Sequence, residues 1–188
     1  MPRDFGALTM ALVLGMVLTR VLLLKKRGIK SMHFGNLDKK DFLIPPFALF
    51  YFYTVFADAF GFPGAIGQQF FYSAIISWAG ALFCLIGLSL LLWSLISFGR
   101  SFRVGIDIDQ PDKLVTTGIF GVSRNPLYVA FLFVLAGQFL IVPAWFFAGY
   151  FCGAALLMHR QILREEDYLK KHYGEKYLEY CQQVRRYL

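Results

Sequence analysis

Residues 5–24 form an apolar run in which Arg20 is the one charged side chain. No other feature restricts the fold as much. A helix rises 1.5 Å per residue, so about 20 apolar residues cross a hydrocarbon core about 30 Å thick. Inside that core each backbone N–H and C=O must be bonded within the protein, which an α-helix achieves alone. Runs of similar character recur at 42–60, 72–98, 127–141 and 144–157. The predicted fold class is therefore all-α: a polytopic membrane protein of about five transmembrane helices, with a C-terminal helical hairpin and a cytoplasmic helical tail. Composition agrees. The 188 residues are 57% hydrophobic and 16% charged, whereas a soluble domain carries about 25% charged residues. Disorder and a fibrous fold are excluded. An ordinary soluble enzyme of this size could not hide so much apolar surface in one core.

The punctuation between runs is consistent with this. Pro45 and Pro46 fall in the first turn of the second run, where proline is tolerated. The third run is long enough to tilt. Val142-Pro143-Ala144 divides the last apolar stretch into two short spans of a tight hairpin. A signal peptide is the rival reading of the first run. Its basic residues, Lys25, Lys26 and Arg27, follow the apolar stretch instead of preceding it, so a retained helix is expected. Asp58, near the far end of the second run, is expected as a solvated interfacial carboxylate. Arg20 is expected to snorkel toward the headgroups. Cys84, Cys152 and Cys181 are far apart, with no CxxC, so neither a zinc site nor a disulfide is expected. The first two lie in apolar runs and are read as inert core residues.

Charge gives the orientation. The net charge is +7. Lys and Arg occupy the segments 25–40, 100–124 and 159–188, while 61–69 and 142–144 hold none. Five spans place all the basic segments on one side. By the positive-inside rule the N-terminus lies outside, and the long polar stretch 99–125 lies in the cytoplasm with the tail. In a bacterial chain this would be the inner or plasma membrane. The basic excess is thus accounted for by topology, and no nucleic acid partner is expected. The tail places Tyr177, Tyr180, Cys181 and Val184 at the spacing of an amphipathic helix, with Gly174 separating it from the helix before.

Any polar site must form between the stretch and the tail, which share a face. Three features there carry chemistry. Gly118 permits a turn or close backbone approach, and Arg124 and Asn125 precede Pro126 at a helix start. Free N–H groups at such a start favour an anion or carboxylate; the alternative is a plain helix start with a snorkelling arginine. Glu165-Glu166-Asp167 follows the last span closely. These acids can take a cationic or hydroxyl-rich ligand, pair with Arg124 or Arg164, or line a solvated helix face. Asp107-Ile108-Asp109 has the spacing that can hold magnesium beside phosphates. No phosphate cradle accompanies it, so no metal is expected.

Taken together these features form a specific pattern. Lys113, Leu114, Val115, Gly118, Ile119 and Phe120 lead into Arg124-Asn125-Pro126-Leu127-Tyr128 and an apolar hairpin. Glu165, Glu166, Leu169, Tyr173, Gly174, Tyr177, Tyr180, Val184 and Arg186 follow. From about Phe98 to Arg186 the chain resembles the isoprenylcysteine carboxyl methyltransferase family, which includes the phospholipid amine methyltransferases. The resemblance implies an integral-membrane enzyme that uses S-adenosylmethionine, with residues 99–188 as the cofactor-binding region. Residues 1–98 form a three-span membrane region in the same integrated domain. It implies cofactor contacts from Leu114, Val115, Gly118, Arg124, Asn125, Pro126, Tyr128, Glu165 and Glu166, with Arg124, Asn125 and Glu166 at the chemistry. It implies a lipophilic acceptor: a prenylcysteine-like carboxylate, a lipid amine or a thiol. Two positions depart from the family. Asn125 stands where the prenylcysteine enzymes usually have His, and Phe120 where Tyr is common, so a base and a hydroxyl are missing. A membrane sterol reductase using NADPH and a non-catalytic membrane binding protein are the competing readings. Cofactor titration separates all three.

Overall fold

A computed structural model describes residues 2–26, 44–62, 69–99 and 114–188. Among them are helices α1 (Pro2–Lys26), α2 (Ile44–Phe60), α3 (Ala74–Phe98), α4 (Pro126–Ile141), α5 (Trp145–Tyr173) and α6 (Glu175–Gln183). A 3-10 turn, Gly118–Gly121, precedes α4. The described residues are thus all-helical, as expected. Helices α1 and α3, at 25 residues each, are long and apolar enough to cross a membrane; α2 and α4 are shorter apolar helices.

Contacts at the two ends set an up-and-down arrangement. At one end Arg3 of α1 pairs with Asp58 of α2 at 3.5 Å, and Gln138 near the end of α4 donates to the Gly6 carbonyl at 2.8 Å. At that end too, Phe70 N–H donates to the Pro143 carbonyl at 2.8 Å. The opposite end collects the ends of α1 and α3, the start of α4, the charged half of α5 and all of α6. We call it the polar end. The core is aliphatic and aromatic, from Met10 and Val13 through Leu91, Val134 and Phe147.

The closest packing is between α3 and α4. A Cβ on Gly80 would lie 2.6 Å from the Gly137 carbonyl, and one on Gly137 2.6 Å from the Gly80 carbonyl. Only hydrogen at both positions lets the backbones approach so closely, which is how helices gain contact where apolar burial gives no drive. Cys84 is buried beside this contact, its thiol 3.8 Å from the Val134 carbonyl.

Helix α5 holds the fifth run and continues past its apolar part to Tyr173, because neither Gly nor Pro occurs between residues 154 and 173; Gly174 separates it from α6, as expected. Its exposed face changes from apolar to charged. Three expectations need correction. Asp58 is not solvated; its side chain is 16% exposed and holds Arg3. Cys152 faces outward rather than into the core. Val184 lies past the end of α6, in extended backbone, and not on its apolar face. Arg100, Arg103, Asp107, Asp109 and Lys113 lie outside the described residues.

Candidate functional site

At the polar end the chain turns sharply before α4, and glycine makes the turn possible. Gly118 adopts φ +66, in the left-handed region, and a Cβ there would run into Ser97 near the end of α3. Ser97 Oγ also accepts from Ile119 N–H at 3.3 Å. Phe120 packs edge-on against Phe98, ring centres 4.5 Å apart, and its carbonyl accepts from the Tyr180 hydroxyl at 2.6 Å. The phenylalanine ring is therefore core, and its backbone ties the turn to α6.

The chain then enters α4 with Pro126 in the first turn. Asn125 occupies the N-cap position, but its side chain caps nothing. Its Nδ2 donates to Glu166 Oε1 at 3.4 Å and to the Arg186 carbonyl at 3.1 Å. Glu166 is the centre of the cluster, 2% exposed. Arg186 grips it in bidentate fashion, with Nη2 at 2.8 Å from Oε2 and Nε at 3.1 Å from both oxygens. Arg124 Nη2 reaches Oε1 at 3.3 Å. A carboxylate taken this far out of water needs such partners. Its hydrogen bonds to Glu166 raise the Arg186 guanidinium above its ordinary value. Backbone contacts fix the C-terminal segment beside it: Arg124 N–H donates to the Arg185 carbonyl at 2.9 Å.

Arg124 is only partly used. Its side chain is 11% exposed, yet its Nε–H is buried with no hydrogen-bond partner among the described residues. An orphaned donor of this kind costs about 1–3 kcal/mol unless something accepts from it. Next to it, Glu165 Oε1 accepts from Tyr128 at 2.6 Å and from Gln161 at 3.2 Å. Leu114 and Val115 are half-buried ahead of the turn. Tyr177 is buried under the cluster, and burial first, then the Glu166 charge, pushes its phenol well above the ordinary value.

Of the residues predicted from sequence, Arg124, Asn125 and Glu166 converge directly, and Tyr128 joins Glu165. Pro126 is buried and starts α4; Gly118 shapes the turn. Leu114 and Val115 have no polar partner role. Asp167 is turned away, 70% exposed and 3.7 Å from Lys170. Arg186 was missing from the predicted site. Its signal was present in the sequence as the arginine two residues after Val184, but only folding shows that it closes on Glu166.

Residues 75–176 match the phospholipid methyltransferase family. Protein-S-isoprenylcysteine O-methyltransferase B of Arabidopsis thaliana is 33% identical, with 48% of this chain and 48% of the relative aligned. A probable protein-S-isoprenylcysteine O-methyltransferase of Oryza sativa subsp. indica is 29% identical, over 58% of this chain and 59% of the relative. The chain spans about half the length of the curated relatives it matches. The matched span contains Arg124, Asn125, Tyr128, Glu165 and Glu166, and ends just before Tyr177.

Proposed function

This chain belongs to the phospholipid methyltransferase family, and we propose that it moves a methyl group from S-adenosylmethionine to the carboxylate of a lipophilic acceptor at the membrane surface. The observation that carries this reading is the Arg124–Asn125–Glu166 cluster inside the family-matched span. S-adenosylmethionine supplies, when bound, a methyl group on a sulfonium and a neutral thioether as leaving group. The residues fit such a molecule. The orphaned Nε–H of Arg124 is a buried donor for a carboxylate. Glu165, oriented by Tyr128, is an acceptor for an ammonium or ribose hydroxyl. Leu114, Val115 and Gly118 offer an apolar wall and close backbone beside them.

Glu166 has a different part. With three nitrogens of Arg186 and Arg124 on its oxygens, it positions Arg124 and Asn125 rather than touching ligand. Among the described residues of the Arg124–Asn125–Glu166 cluster, Glu166 is held by two guanidiniums and Asn125 is no base. An amine or thiol acceptor must lose a proton and gains from a base; a carboxylate does not. This favours O-methylation, in keeping with the names of the relatives. Holding donor and acceptor in line away from water is then the main task of the protein.

Titration of the purified protein with S-adenosylmethionine and, separately, NADPH tests the reading. Binding of the first and not the second is expected. Arg124→Lys keeps charge but loses the planar fork, so affinity should fall by about 10- to 150-fold. Parental affinity in a folded Arg124→Lys protein would remove Arg124 from the site, and NADPH binding would replace the reading altogether.

The proposal includes the five-span topology, with residues 1–98 as a membrane region and 99–188 as the catalytic face toward the cytoplasm. The adjacency of Gln69 and Ala144, at the end away from Glu166, supports it. Cysteines introduced at Gln69 and Lys176 should label from opposite sides; labelling from one side breaks the topology.

A further inference from the structure

Helix α5 changes character at one residue. Met158 still packs against the apolar core, and His159 is the first of the polar residues that follow. His159, Ile162 and Glu166 stand at i, i+3 and i+7, so they share one face of the helix. Ile162 and Glu166 are buried there, whereas His159 is exposed. The covered face thus opens at His159, about 10 Å along the helix from Glu166. The C-terminal segment runs down the same face. Arg124 and Asn125 hold its backbone at Arg185 and Arg186, and Arg186 grips Glu166. The next residue, Tyr187, places its hydroxyl 2.6 Å from His159 Nδ1. Consecutive side chains therefore fasten to α5 about two turns apart. The Glu166 contact is buried; the His159 contact is exposed, and His159 Nε2 has no hydrogen bond among the described residues.

We propose that His159, set by Tyr187, holds the carboxylate of the lipophilic acceptor. This rests on the methyl-transfer reading, which needs such a site and does not find it in the Arg124–Glu166 cluster. There Glu166 takes both guanidiniums, and the orphaned Nε–H of Arg124 goes to the cofactor. Tyr187 is a positioning residue: by donating to Nδ1 it fixes the ring hydrogen on Nε2. The Nε2–H then donates to a carboxylate oxygen, and the exposed Arg160 beside it adds positive charge. The place suits a head group with a long apolar tail. Leu156, one turn before His159 on the same face, is exposed, so a head on His159 leaves its tail against the apolar half of α5. In the transfer the new O–C bond uses a carboxylate lone pair, the pair of the broken C–S bond stays on sulfur, and no proton moves. His159 then faces a neutral ester, which accepts its hydrogen bond more weakly than the carboxylate did, and the product is released.

The test measures binding of N-acetyl-S-farnesylcysteine and of its carboxamide to the full chain in neutral detergent, without cofactor. The acid should bind the parent about tenfold or more tighter than the amide, the effect of one hydrogen bond to a charged group. His159→Leu should erase that preference and raise the acceptor KM by a similar factor, with kcat and S-adenosylmethionine affinity near parental. His159→Gln, which keeps an N–H near the place of Nε2, should restore most of the preference. Tyr187→Phe should raise the acceptor KM by a smaller factor and leave cofactor affinity unchanged. Equal binding of acid and amide by the parent overturns the proposal, and so does an intact preference in His159→Leu. Loss of S-adenosylmethionine binding in His159→Leu overturns it too, because His159 would then only brace the C-terminal segment. A parent that prefers the acid through His159 yet binds no S-adenosylmethionine would sink the methyl-transfer reading and leave the carboxylate site standing.

Discussion

Between α3 and α4 two backbones touch through Gly80 and Gly137, with no charge nearby; at the polar end a buried carboxylate holds two arginines from separate segments. The first contact depends on the absence of side chains, the second on three charged ones. Each suits its surroundings. In hydrocarbon there is no apolar gain in pressing helices together, so close approach of small residues supplies the attraction. At the polar end the chain must leave and re-enter the bundle, and directional bonds to Glu166 fix the order of α4, α5 and the C-terminal segment. Damage should therefore differ in kind: loss of a charge should free one end, whereas an added methyl should loosen the frame along its length.

Glu166→Gln should give the largest effect. It leaves the Arg124 and Arg186 charges facing a neutral amide in a buried place. Breaking one partner of a buried ion pair costs about 3–5 kcal/mol. Thermal unfolding in detergent should show the loss, and limited proteolysis should now cut near Val184. Replacing Arg186 by Gln as well should recover part of the stability, since one of the uncompensated charges goes. A Glu166→Gln protein that melts like its parent would reduce the cluster to a set of exchangeable surface contacts.

Gly137→Ala comes next. The new Cβ would stand 2.6 Å from both Cys84 Sγ and the Gly80 carbonyl, so α3 and α4 must separate. Overpacking of this kind costs about 1–3 kcal/mol. Gly15→Ala is the matching control on an exposed face of α1, where a Cβ would meet no atom within 4 Å and the lost flexibility of glycine should leave stability unchanged or slightly raised. Equal melting temperatures for the two variants would show that the backbone contact does not hold the frame.

Much of this was legible in the sequence because bilayer length is a strong constraint. The ends of α1, α3 and α4 fall within a few residues of the apolar runs that predict them. Hydropathy alone does not end α5, because it marks where a helix leaves the membrane and not where it stops; the end came from Gly174, the first helix breaker after the span. Asp58 was misread because its partner, Arg3, is remote in sequence. At the site, residue types located Arg124, Asn125 and Glu166, but their mutual roles were hidden. That Asn125 would turn from its own helix start to Glu166 depends on where the last residues of the chain run, and local pattern does not encode that path.

The smallest effect concerns the tyrosines under the polar end, and it appears in full only at high pH. Tyr180 is buried, and that burial pushes its phenol up to about 12, against a modest lowering by the Arg124 charge. Tyr177 moves the same way. An ordinary tyrosine ionises near pH 10, so the folded state prefers the neutral phenols. Their contribution is complete below about pH 10 and is lost as pH climbs from there through about 12. Tyrosinate absorbance should therefore show two late-ionising tyrosines, and melting temperature should fall across the same interval. Tyr180→Phe should remove one of the two and flatten part of that fall. At neutral pH it should also cost about 1 kcal/mol, because the Phe120 carbonyl loses its donor. That loss should loosen the turn at Gly118 while leaving the α3–α4 contact intact. Ionisation of both phenols near pH 10 in the folded protein would mean that α6 is not sealed against the polar end, and the contrast between a clamped end and a packed frame would fail there.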